Sequence, residues 1–444
     1  MKKLLLCFVV LGAALASPTF ADDLNDALTA AYKNNPELKA KREGLKATDE
    51  RKAQALSGWR PTLGYTYSAE RTRIEAEGID AEIDNISTHS VNATQPVFDG
   101  FGTIAESKRA DNLIKAGRED LKSTEQDILL QAATSYLNVV RYDSELKLSQ
   151  KNRSVLNEQL KATKERFNVG EVTRTDVAQS KSRLAGAVSE VAIAKGNYQV
   201  VLAEFRRVTG IEPVSPKMPA QMPKIPKTAD EAIEKALVNN PILLTQRYRT
   251  EAAENNVDVV GSNLLPSVNL QAEAAKINGG TTYTIGDAET GTISVNVSVP
   301  IYQSGKVYSQ RREAKRLSHQ ERLTLENSQN QIKESVLRIW QQIKTSTATI
   351  RSTKQAVKSA KIALDGTRQE ARYGSRTTLD VLDAERELFI AQVSLVRART
   401  NKMVAVYQMK SLLGDLTAKG LELEADIYNP EEHYKKTKYK FIGF

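Results

Sequence analysis

Alternation of apolar and polar residues marks four short segments of the chain as β-strands. From 293 to 301 every second residue is apolar, which is typical of a strand with one buried face. The same alternation, less complete, occurs at 63–67, 91–97 and 268–274. Polar segments that contain glycine separate the members of each pair, at 75–87 and 278–290. The pattern therefore predicts two β-hairpins and four strands.

After each β-hairpin the chain has a long stretch without proline that is rich in good helix formers. These stretches predict two helical hairpins, with helices at 103–167, 176–208, 307–372 and from the second turn to 413. The turns fall at Gly170 and Gly374, where glycine allows a tight bend. The longest of these helices would span on the order of 100 Å, which suits a coiled coil or a tube wall better than a compact core.

The returning helix of the second hairpin carries an apolar residue at every seventh position, at Leu382, Phe389, Val396 and Met403. This spacing is half of a coiled-coil seam, although an ordinary amphipathic helix also accounts for four positions. A shorter helix precedes each β-hairpin. These short helices are predicted at 37–57 and 242–261, each between two prolines.

The two halves of the chain repeat each other at an offset of 204 or 205 residues. Asn-Asn-Pro at 34–36 returns at 239–241, and Pro-Val-Phe at 96–98 returns as Pro-Ile-Tyr at 300–302. One register held over this distance indicates a duplicated structural unit. We therefore predict a first repeat at 22–212, a proline-rich linker at 213–228 and a second repeat at 229–414. A C-terminal segment with a basic tail follows at 415–444.

The first 21 residues have the composition of a secretory signal, because Lys2 and Lys3 precede an apolar run that ends in small residues. The only cysteine, Cys7, lies inside this segment, so the exported chain would contain no disulfide or thiolate metal site. No later stretch has the ~20 apolar residues of a transmembrane helix. If the exported chain enters a membrane, it must do so as a closed β-barrel, which four strands cannot form alone. Three chains would supply twelve strands; the alternative is a soluble β-sandwich or a periplasmic sheet.

Composition and spacing give no sign of catalysis, of a cofactor or of nucleic-acid binding. The three histidines, His89, His319 and His433, lie far apart in the sequence and not at metal-ligand spacing. The formal charge of +9 is spread along the predicted helices as solvated faces. Lysines concentrate only at 435–440, which indicates a surface-lying or mobile end. We therefore expect neither an enzyme nor a nucleic-acid partner.

Three kinds of feature identify the family that this chain resembles. They are the Asn-Asn-Pro segments, the ends of the β-hairpins and two turn motifs at 166–177 and 374–384. In these residues the chain strongly resembles the TolC family of outer-membrane efflux and secretion channels, and the resemblance covers nearly all of the mature chain. It implies a homotrimeric membrane protein of the α+β class. Its twelve-stranded outer-membrane β-barrel, four strands per chain, would be continued by a long periplasmic α-helical barrel of coiled-coil hairpins. An equatorial belt would include the C-terminal segment.

The resemblance also implies a gate at the tip of the helical barrel. By motif, Asp380 and Asp383 would form two carboxylate rings at the narrowest point. Arg376 would be the latch cation and would meet Thr175 and Asp176 of another coil. The turns at Gly170 and Gly374 would dock a periplasmic adaptor protein.

One position departs from the family pattern. The family has a latch tyrosine three residues before the glycine of the second turn. Here that position is Ala371, and the tyrosine stands immediately before the glycine, at Tyr373.

The spacing of the gate residues offers a physical reason for a gate, and also simpler alternatives. Arg376, Asp380 and Asp383 stand at i, i+4 and i+7, on one helix face opposite Leu382. Rings of carboxylates favour cations, and their mutual repulsion would raise some of their pKa values. Alternatively, Arg376 and Asp380 pair along their own helix, or Asp176 and Asp380 act near helix starts.

The resemblance predicts a passive exit duct in the outer membrane of a Gram-negative bacterium, surrounded by outer-membrane lipid and extending into the periplasm. In a tripartite efflux or type I secretion system it would receive drugs, other small molecules or proteins from an inner-membrane pump or ABC transporter, through the adaptor. The alternative is a soluble periplasmic coiled-coil adaptor or scaffold. Two tandem helical hairpins and four membrane-length strands disfavour it. The sequence does not distinguish a drug from a protein cargo.

Overall fold

The computed structural model describes residues 20–21, 23–76, 79–279 and 287–442. These residues form two compact units. The first consists of the described residues of Met1–Lys39 with Glu125–Glu234 and Ser335–Ile427. The second consists of those of Ala40–Thr124, Lys235–Glu334 and Tyr428–Phe444. The signal segment predicted at 1–21 lies outside the described residues, apart from Phe20 and Ala21.

Helices make up most of the described chain. In chain order they are α1 (Leu24–Asn34), α2 (Pro36–Leu56), α3 (Gly102–Asn168), α4 (Arg174–Thr209), α5 (Ala229–Asn239), α6 (Pro241–Ser262), α7 (Lys306–Arg372), α8 (Thr378–Leu412) and α9 (Glu432–Thr437). The strands are β1 (Phe20–Ala21), β2 (Thr62–Ala76), β3 (Ile79–Asp99), β4 (Glu212–Pro213), β5 (Ser267–Asn278) and β6 (Ala288–Ser298). Two short helices, two strands and a helical hairpin occur in this order twice. Among the helices of the described residues, none is both long enough and apolar enough to cross a membrane.

The Asn-Asn-Pro segments separate two helices in each half, so the prediction of a single opening helix missed α1 and α5. Asn35 Oδ1 accepts the N–H of Glu37 at 2.9 Å, and Asn240 Oδ1 accepts that of Ile242 at 3.0 Å. The proline that follows each asparagine is the first residue of the next helix, where its missing N–H costs nothing. The motif is therefore a junction between helices, and α2 and α6 lie within one residue of their predicted bounds.

The four long strands form one antiparallel sheet in the second unit, in the order β2-β3-β5-β6. The register places Thr62 opposite Thr94 and Ser267 opposite Ser298. As a result, every strand end that connects to a helix lies at the same end of the sheet. The edges of the sheet are β2 and β6.

The first β-hairpin is longer than predicted. β2 continues to Ala76 and β3 begins at Ile79, so most of the loop predicted at 75–87 is strand. The cross-strand pair of Arg73 with Ile83 belongs to this extension. Backbone hydrogen bonds continue the ladder here without the apolar alternation on which the prediction depended.

The second β-hairpin ends earlier than predicted at its junction with the helices. β6 stops at Ser298, whereas alternation continues to Ile301. Pro300 has no backbone N–H and cannot extend the ladder. At the other end the described strands reach Asn278 and resume at Ala288, and most of the loop predicted at 278–290 lies outside the described residues.

The first unit contains the packed ends of the long helices. Leu156 of α3, Ala187 of α4 and Leu382 of α8 form one buried cluster. Of the predicted seven-residue seam, Leu382 and Met403 are buried and the other two positions are half-buried. The long helices α3 and α7 contain 67 residues each, and the predicted bounds of the helical hairpins are correct to within two residues.

The linker between the halves is held to the first unit by a few polar contacts. β1 pairs in parallel with β4, through Phe20 with Glu212. Beyond β4 the chain is irregular until α5 begins, and the Tyr136 hydroxyl lies 3.2 Å from both the N–H and the carbonyl oxygen of Lys217. A buried tyrosine hydroxyl thus receives its hydrogen-bond partners from an otherwise extended segment.

Candidate functional site

The two hairpin turns are built in the same way. Gly170 and Gly374 have φ values of 80° and 77°, which favour glycine, and each follows the last residues of a 67-residue helix. The side chains of Thr173 and Thr377 then cap the returning helices, accepting the N–H of the residue three positions later at 3.3 Å and 3.2 Å. The turns are therefore shaped by local hydrogen bonds that each hairpin makes alone.

Asp176 and Asp380 complete these caps. Asp176 Oδ2 accepts the backbone N–H of Thr173 at 2.9 Å, and Asp380 Oδ2 accepts that of Thr377 at 2.8 Å. Such reciprocal bonds form a capping box and satisfy N–H groups at the start of a helix. In the single chain, the contacts of Asp176 and Asp380 therefore agree with the alternative interpretation that these residues act at helix starts.

These contacts also set the acidity of the two carboxyl groups. The hydrogen bond from the Thr173 hydroxyl, followed by that from its backbone, lowers the pKa of Asp176. The backbone N–H and the hydroxyl of Thr377 lower the pKa of Asp380 in the same way. Repulsion among the ring carboxylates was expected to raise some of their pKa values. In the single chain the contacts with the threonine caps lower the pKa values of Asp176 and Asp380 instead. Repulsion requires carboxylates of several chains, whereas the caps act within one.

Arg376 lies in the turn and not on the helix. The N-cap residue is Thr377 and α8 begins at Thr378, so the expectation that Arg376 shares a helix face with Asp380 and Asp383 was wrong. Its Nε donates to Glu370 Oε2 at 2.9 Å, across its own hairpin. The predicted partners Thr175 and Asp176 belong to the other hairpin, and Thr175 is exposed in the first turn of α4.

Tyr373 is 89% exposed, and Ala371, at the position of the family tyrosine, is buried. The tyrosine side chain therefore extends from the turn itself. Gly170 and Gly374 have open space where a Cβ would stand, so both turns present their backbone to the surroundings.

Asp383 is one of the two predicted ring carboxylates, and it makes an ion pair between the hairpins. Arg183 Nη2 on α4 donates to Asp383 Oδ1 on α8 at 2.6 Å. Both side chains remain partly exposed, at 31% and 56%. Arg183 was not among the predicted gate residues. The available signal was an opposite charge beside the apolar seam of a neighbouring helix, where coiled coils form interhelical salt bridges.

Two further ion pairs hold α8 to its neighbours. Arg397 donates to both carboxylate oxygens of Glu145 on α3, at 2.8 Å and 3.2 Å. Arg368 of α7 donates to Glu385 of α8. Glu145 and Glu385 are buried, and a buried carboxylate needs such a partner to offset the loss of water. α8 is therefore connected by charge to α3, α4 and α7.

No cluster of histidine, cysteine, aspartate and glutamate able to hold a metal ion occurs among the described residues. The histidines have other contacts. His89 Nδ1 lies 2.8 Å from the Tyr65 hydroxyl on the sheet, and His433 Nδ1 lies 3.3 Å from Asp49 Oδ2.

Comparison with known proteins gives matches over almost the whole chain. The model of the family described as outer membrane efflux protein matches residues 27–211 and again 232–415. The outer membrane efflux protein BepC of Brucella suis is 32% identical over 100% of this chain and 96% of its own length. The outer membrane protein TolC of Escherichia coli is 28% identical over 95% of this chain and 88% of its own length.

A solved structure has the same fold at low sequence identity. The outer membrane protein VceC from Vibrio cholerae matches with a TM-score of 0.77 and 20% identity, over 88% of this chain and 96% of VceC. The arrangement of four strands in one sheet with long helical hairpins is therefore shared with a known outer-membrane protein.

Proposed function

Because the chain belongs to the outer membrane efflux protein family, the TolC family of channels, we propose that three copies of it assemble into one gated duct. The protein is located in the outer membrane, and its role is that of an exit duct in efflux or type I secretion. A soluble adaptor, the alternative considered from the sequence, does not agree with a family match in both halves of the chain.

The open edges of the sheet support assembly into a trimeric barrel. Among the described residues, β2 and β6 each have a neighbouring strand on one side only. In lipid, the unpaired backbone groups of such an edge are costly, and closing the sheet removes both edges. If β2 of one chain pairs with β6 of the next, three chains give twelve strands around an open lumen. Apolar side chains on the edge strands suit this setting, since Leu63 is 78% and Ile293 80% exposed in the single chain.

The second part of the proposal places the gate at the hairpin tips. The repeated order of elements gives each chain two helical hairpins, which we attribute to a tandem duplication, so a trimer has six. Asp380 and Asp383 would form the carboxylate rings. Arg376 would exchange Glu370 of its own hairpin for Thr175 and Asp176 of another coil. The observation that carries this proposal is the exposed Arg376–Glu370 pair, since a surface ion pair is weak enough to exchange partners.

The proposed partners follow from the passive nature of the duct. An inner-membrane pump or ABC transporter would supply the energy, and a periplasmic adaptor would connect it to the exposed turns at Gly170 and Gly374. The cargo would be drugs, other small molecules or secreted proteins, and deletion of each candidate pump with an export assay would separate these classes.

Single-channel recording tests the gate and the assembly together. The purified protein should have the mass of a trimer in detergent and should form channels in planar bilayers. Arg376→Ser should raise the conductance because it removes the latch cation. Arg372→Ser is the matched control, since it removes an exposed arginine from the same tip but outside the turn motif. A conductance unchanged by Arg376→Ser, or raised equally by both variants, would refute the latch.

A further inference from the structure

Lys440 and Phe441 lie beside the start of β2. Arg60 is two residues before Thr62, the first residue of β2. Its Nη1 donates to the carbonyl oxygen of Lys440 at 2.9 Å, and its guanidinium lies 4.8 Å from the centre of the Phe441 ring. These contacts fix residues 440–441 at the level of the sheet where the strands meet the helices.

The neighbouring residue of Arg60 confirms this level. The carbonyl oxygen of Trp59 accepts a hydrogen bond from Gln95 Nε2 of β3 at 2.9 Å. Gln95 follows Thr94, which pairs with Thr62. Trp59 is 48% exposed, so an aromatic side chain stands at the surface there.

The preceding helix α9 is held by contacts of its own. His433 Nδ1 lies 3.3 Å from the buried Asp49, and the Tyr434 hydroxyl donates to Asp111 at 3.2 Å. The two acidic residues of this region bind lysines one turn later, at 2.9 Å for Glu431 with Lys435 and 2.6 Å for Glu432 with Lys436. The acidic charges of this region are thus those of Glu431, which precedes α9, and of Glu432, its first residue.

Beyond α9 the composition changes. We call residues 438–442 the terminal segment; it contains Lys438 and Lys440, no acidic residue, and three large apolar or aromatic side chains. Those three are exposed, with 70% for Tyr439, 63% for Phe441 and 86% for Ile442. Lysine and aromatic residues side by side are typical of segments at the boundary between lipid and water, where the rings enter the headgroup layer and the amines bind anionic headgroups.

We propose that the terminal segment is a lipid anchor, which lies in the headgroup layer of the periplasmic leaflet and binds anionic phospholipid. The proposal rests on the proposed function, because it takes the sheet to span the outer membrane. Two observations favour lipid over a protein partner. The segment lies beside the end of the sheet at which a membrane would stop, through its contacts with Arg60, and its cations, with Arg60, complement anionic headgroups.

Fluorescence quenching by labelled lipids tests the anchor in the full-length protein. Cys7 is the only cysteine, so Ile442→Cys in a Cys7→Ser background accepts a single fluorophore at the most exposed position of the segment. The labelled channel is reconstituted into phosphatidylethanolamine vesicles with or without phosphatidylglycerol. The quenching nitroxide is carried either near the headgroup or deep in the acyl chain.

The anchor predicts strong quenching at Ile442→Cys by the shallow nitroxide, weak quenching by the deep one, and an increase with phosphatidylglycerol. Replacing Lys438 and Lys440 by Gln should remove most of this increase, because each lysine near an anionic surface changes the bound-to-free ratio by about fivefold. Ile362→Cys on α7, which is 64% exposed, is the control for a label outside the membrane.

A label on the sheet separates failure of the anchor from failure of the proposed function. Val295→Cys on β6, 65% exposed, should be quenched by the deep nitroxide if the sheet spans the bilayer. Quenching at Val295→Cys with none at Ile442→Cys would overturn the anchor alone, and protection of that label only in cell envelopes would then indicate a protein partner. No quenching at Val295→Cys would overturn the membrane-spanning sheet.

Discussion

The ion pair of Arg183 with Asp383 gives the gate hypothesis its sharpest test. The two charges are 2.6 Å apart, so at distances comparable to a channel radius they nearly cancel. Asp383→Asn would leave Arg183 and make this level of the lumen more positive. Arg183→Gln would leave Asp383 and make it more negative. If the pair persists in the assembled channel, the two variants should change the ratio of cation to anion permeability in opposite directions.

The double variant supplies the decisive comparison. Arg183→Gln with Asp383→Asn removes both charges and leaves the net charge unchanged, so the permeability ratio should return close to that of the wild type. Asp380→Asn has weaker compensation, because the Asp380 carboxylate is held by the backbone and hydroxyl of Thr377 and Arg376 acts on it only through longer-range attraction. It should lower the preference for cations severalfold, since a change of about one kT in the local potential changes the cation-to-anion ratio about sevenfold.

Stability and salt provide the controls. A partly exposed ion pair contributes at most about 1 kcal/mol, so none of these variants should prevent assembly, which the elution volume in detergent would verify. The changes should be large at 0.1 M salt, where the screening length is about 10 Å, and small at 1 M, where it is about 3 Å. Unchanged permeability ratios for all variants at 0.1 M would refute the carboxylate rings, and equal shifts for Asp383→Asn and the double variant would refute the pair.

Three further predictions follow from contacts within each unit. Thr377→Ala removes a helix cap and should lower the stability of the second hairpin by about 1 kcal/mol, while the charge of the tip stays the same. Hydrogen exchange in the first turn of α8 should therefore accelerate, and ion selectivity should not change. Thr173→Ala is the matched control in the first hairpin. Arg397→Ala leaves Glu145 buried with Arg141 at 3.9 Å and should lower the stability by about 1–3 kcal/mol, much of which Glu145→Gln in the same chain should recover in a thermal unfolding assay. Burial raises the pKa of Asp49 above its ordinary value of 3.8, so its contribution to stability is complete below that value and is lost as the pH rises through the raised pKa. Asp49→Asn should therefore raise the melting temperature more at about pH 8 than at about pH 4, and an equal change at both would contradict the assignment.

The sequence predicted the helices and strands that have a clear local pattern. It did not predict the break between two helices at Asn35 or a strand extension without alternation. Long helices without proline and strands with clear alternation were located to within a few residues. The junction at Asn35 was taken for a helix start only, because α1 contains just 11 residues and reads as a continuation of the same pattern. The extension of β2 was missed because its polar residues carry no alternation, while the backbone ladder that holds it is invisible in composition.

In the candidate site, too, some features were predicted from the sequence and others were not. The spacing of Asp380 and Asp383 on α8 follows from helix geometry and was predicted. The place of Arg376 was not, because its helix begins only after Thr377, and a boundary error of two residues moves a side chain from a helix face into a turn. Arg183 was not paired with Asp383 from the sequence, because an opposite charge beside the seam does not show which residue two hundred positions away is its partner. Packing of α4 on α8 brings the two charges together.

Comparison of the two tips indicates where the proposed gate residues differ between the two halves of the chain. At an offset of 204 residues the capping boxes coincide, Thr173 and Asp176 with Thr377 and Asp380, so a carboxylate at that position is explained by the helix start in both copies.

The ion pairs across the two turns, in contrast, have opposite polarity. In the first tip Arg166 precedes the glycine and binds Glu171 after it, at 3.0 Å. In the second tip Glu370 occupies the position equivalent to Arg166 and binds Arg376 after the glycine, at 2.9 Å. If six tips alternate around a ring, the opposite charges of Arg166 and Glu370 would therefore stand at equivalent positions of neighbouring hairpins, and those of Glu171 and Arg376 one residue from equivalence. We infer that such a ring can exchange ion pairs within hairpins for ion pairs between hairpins, with nearly the same number of ion pairs in both arrangements. Two states of the proposed gate would then differ little in free energy.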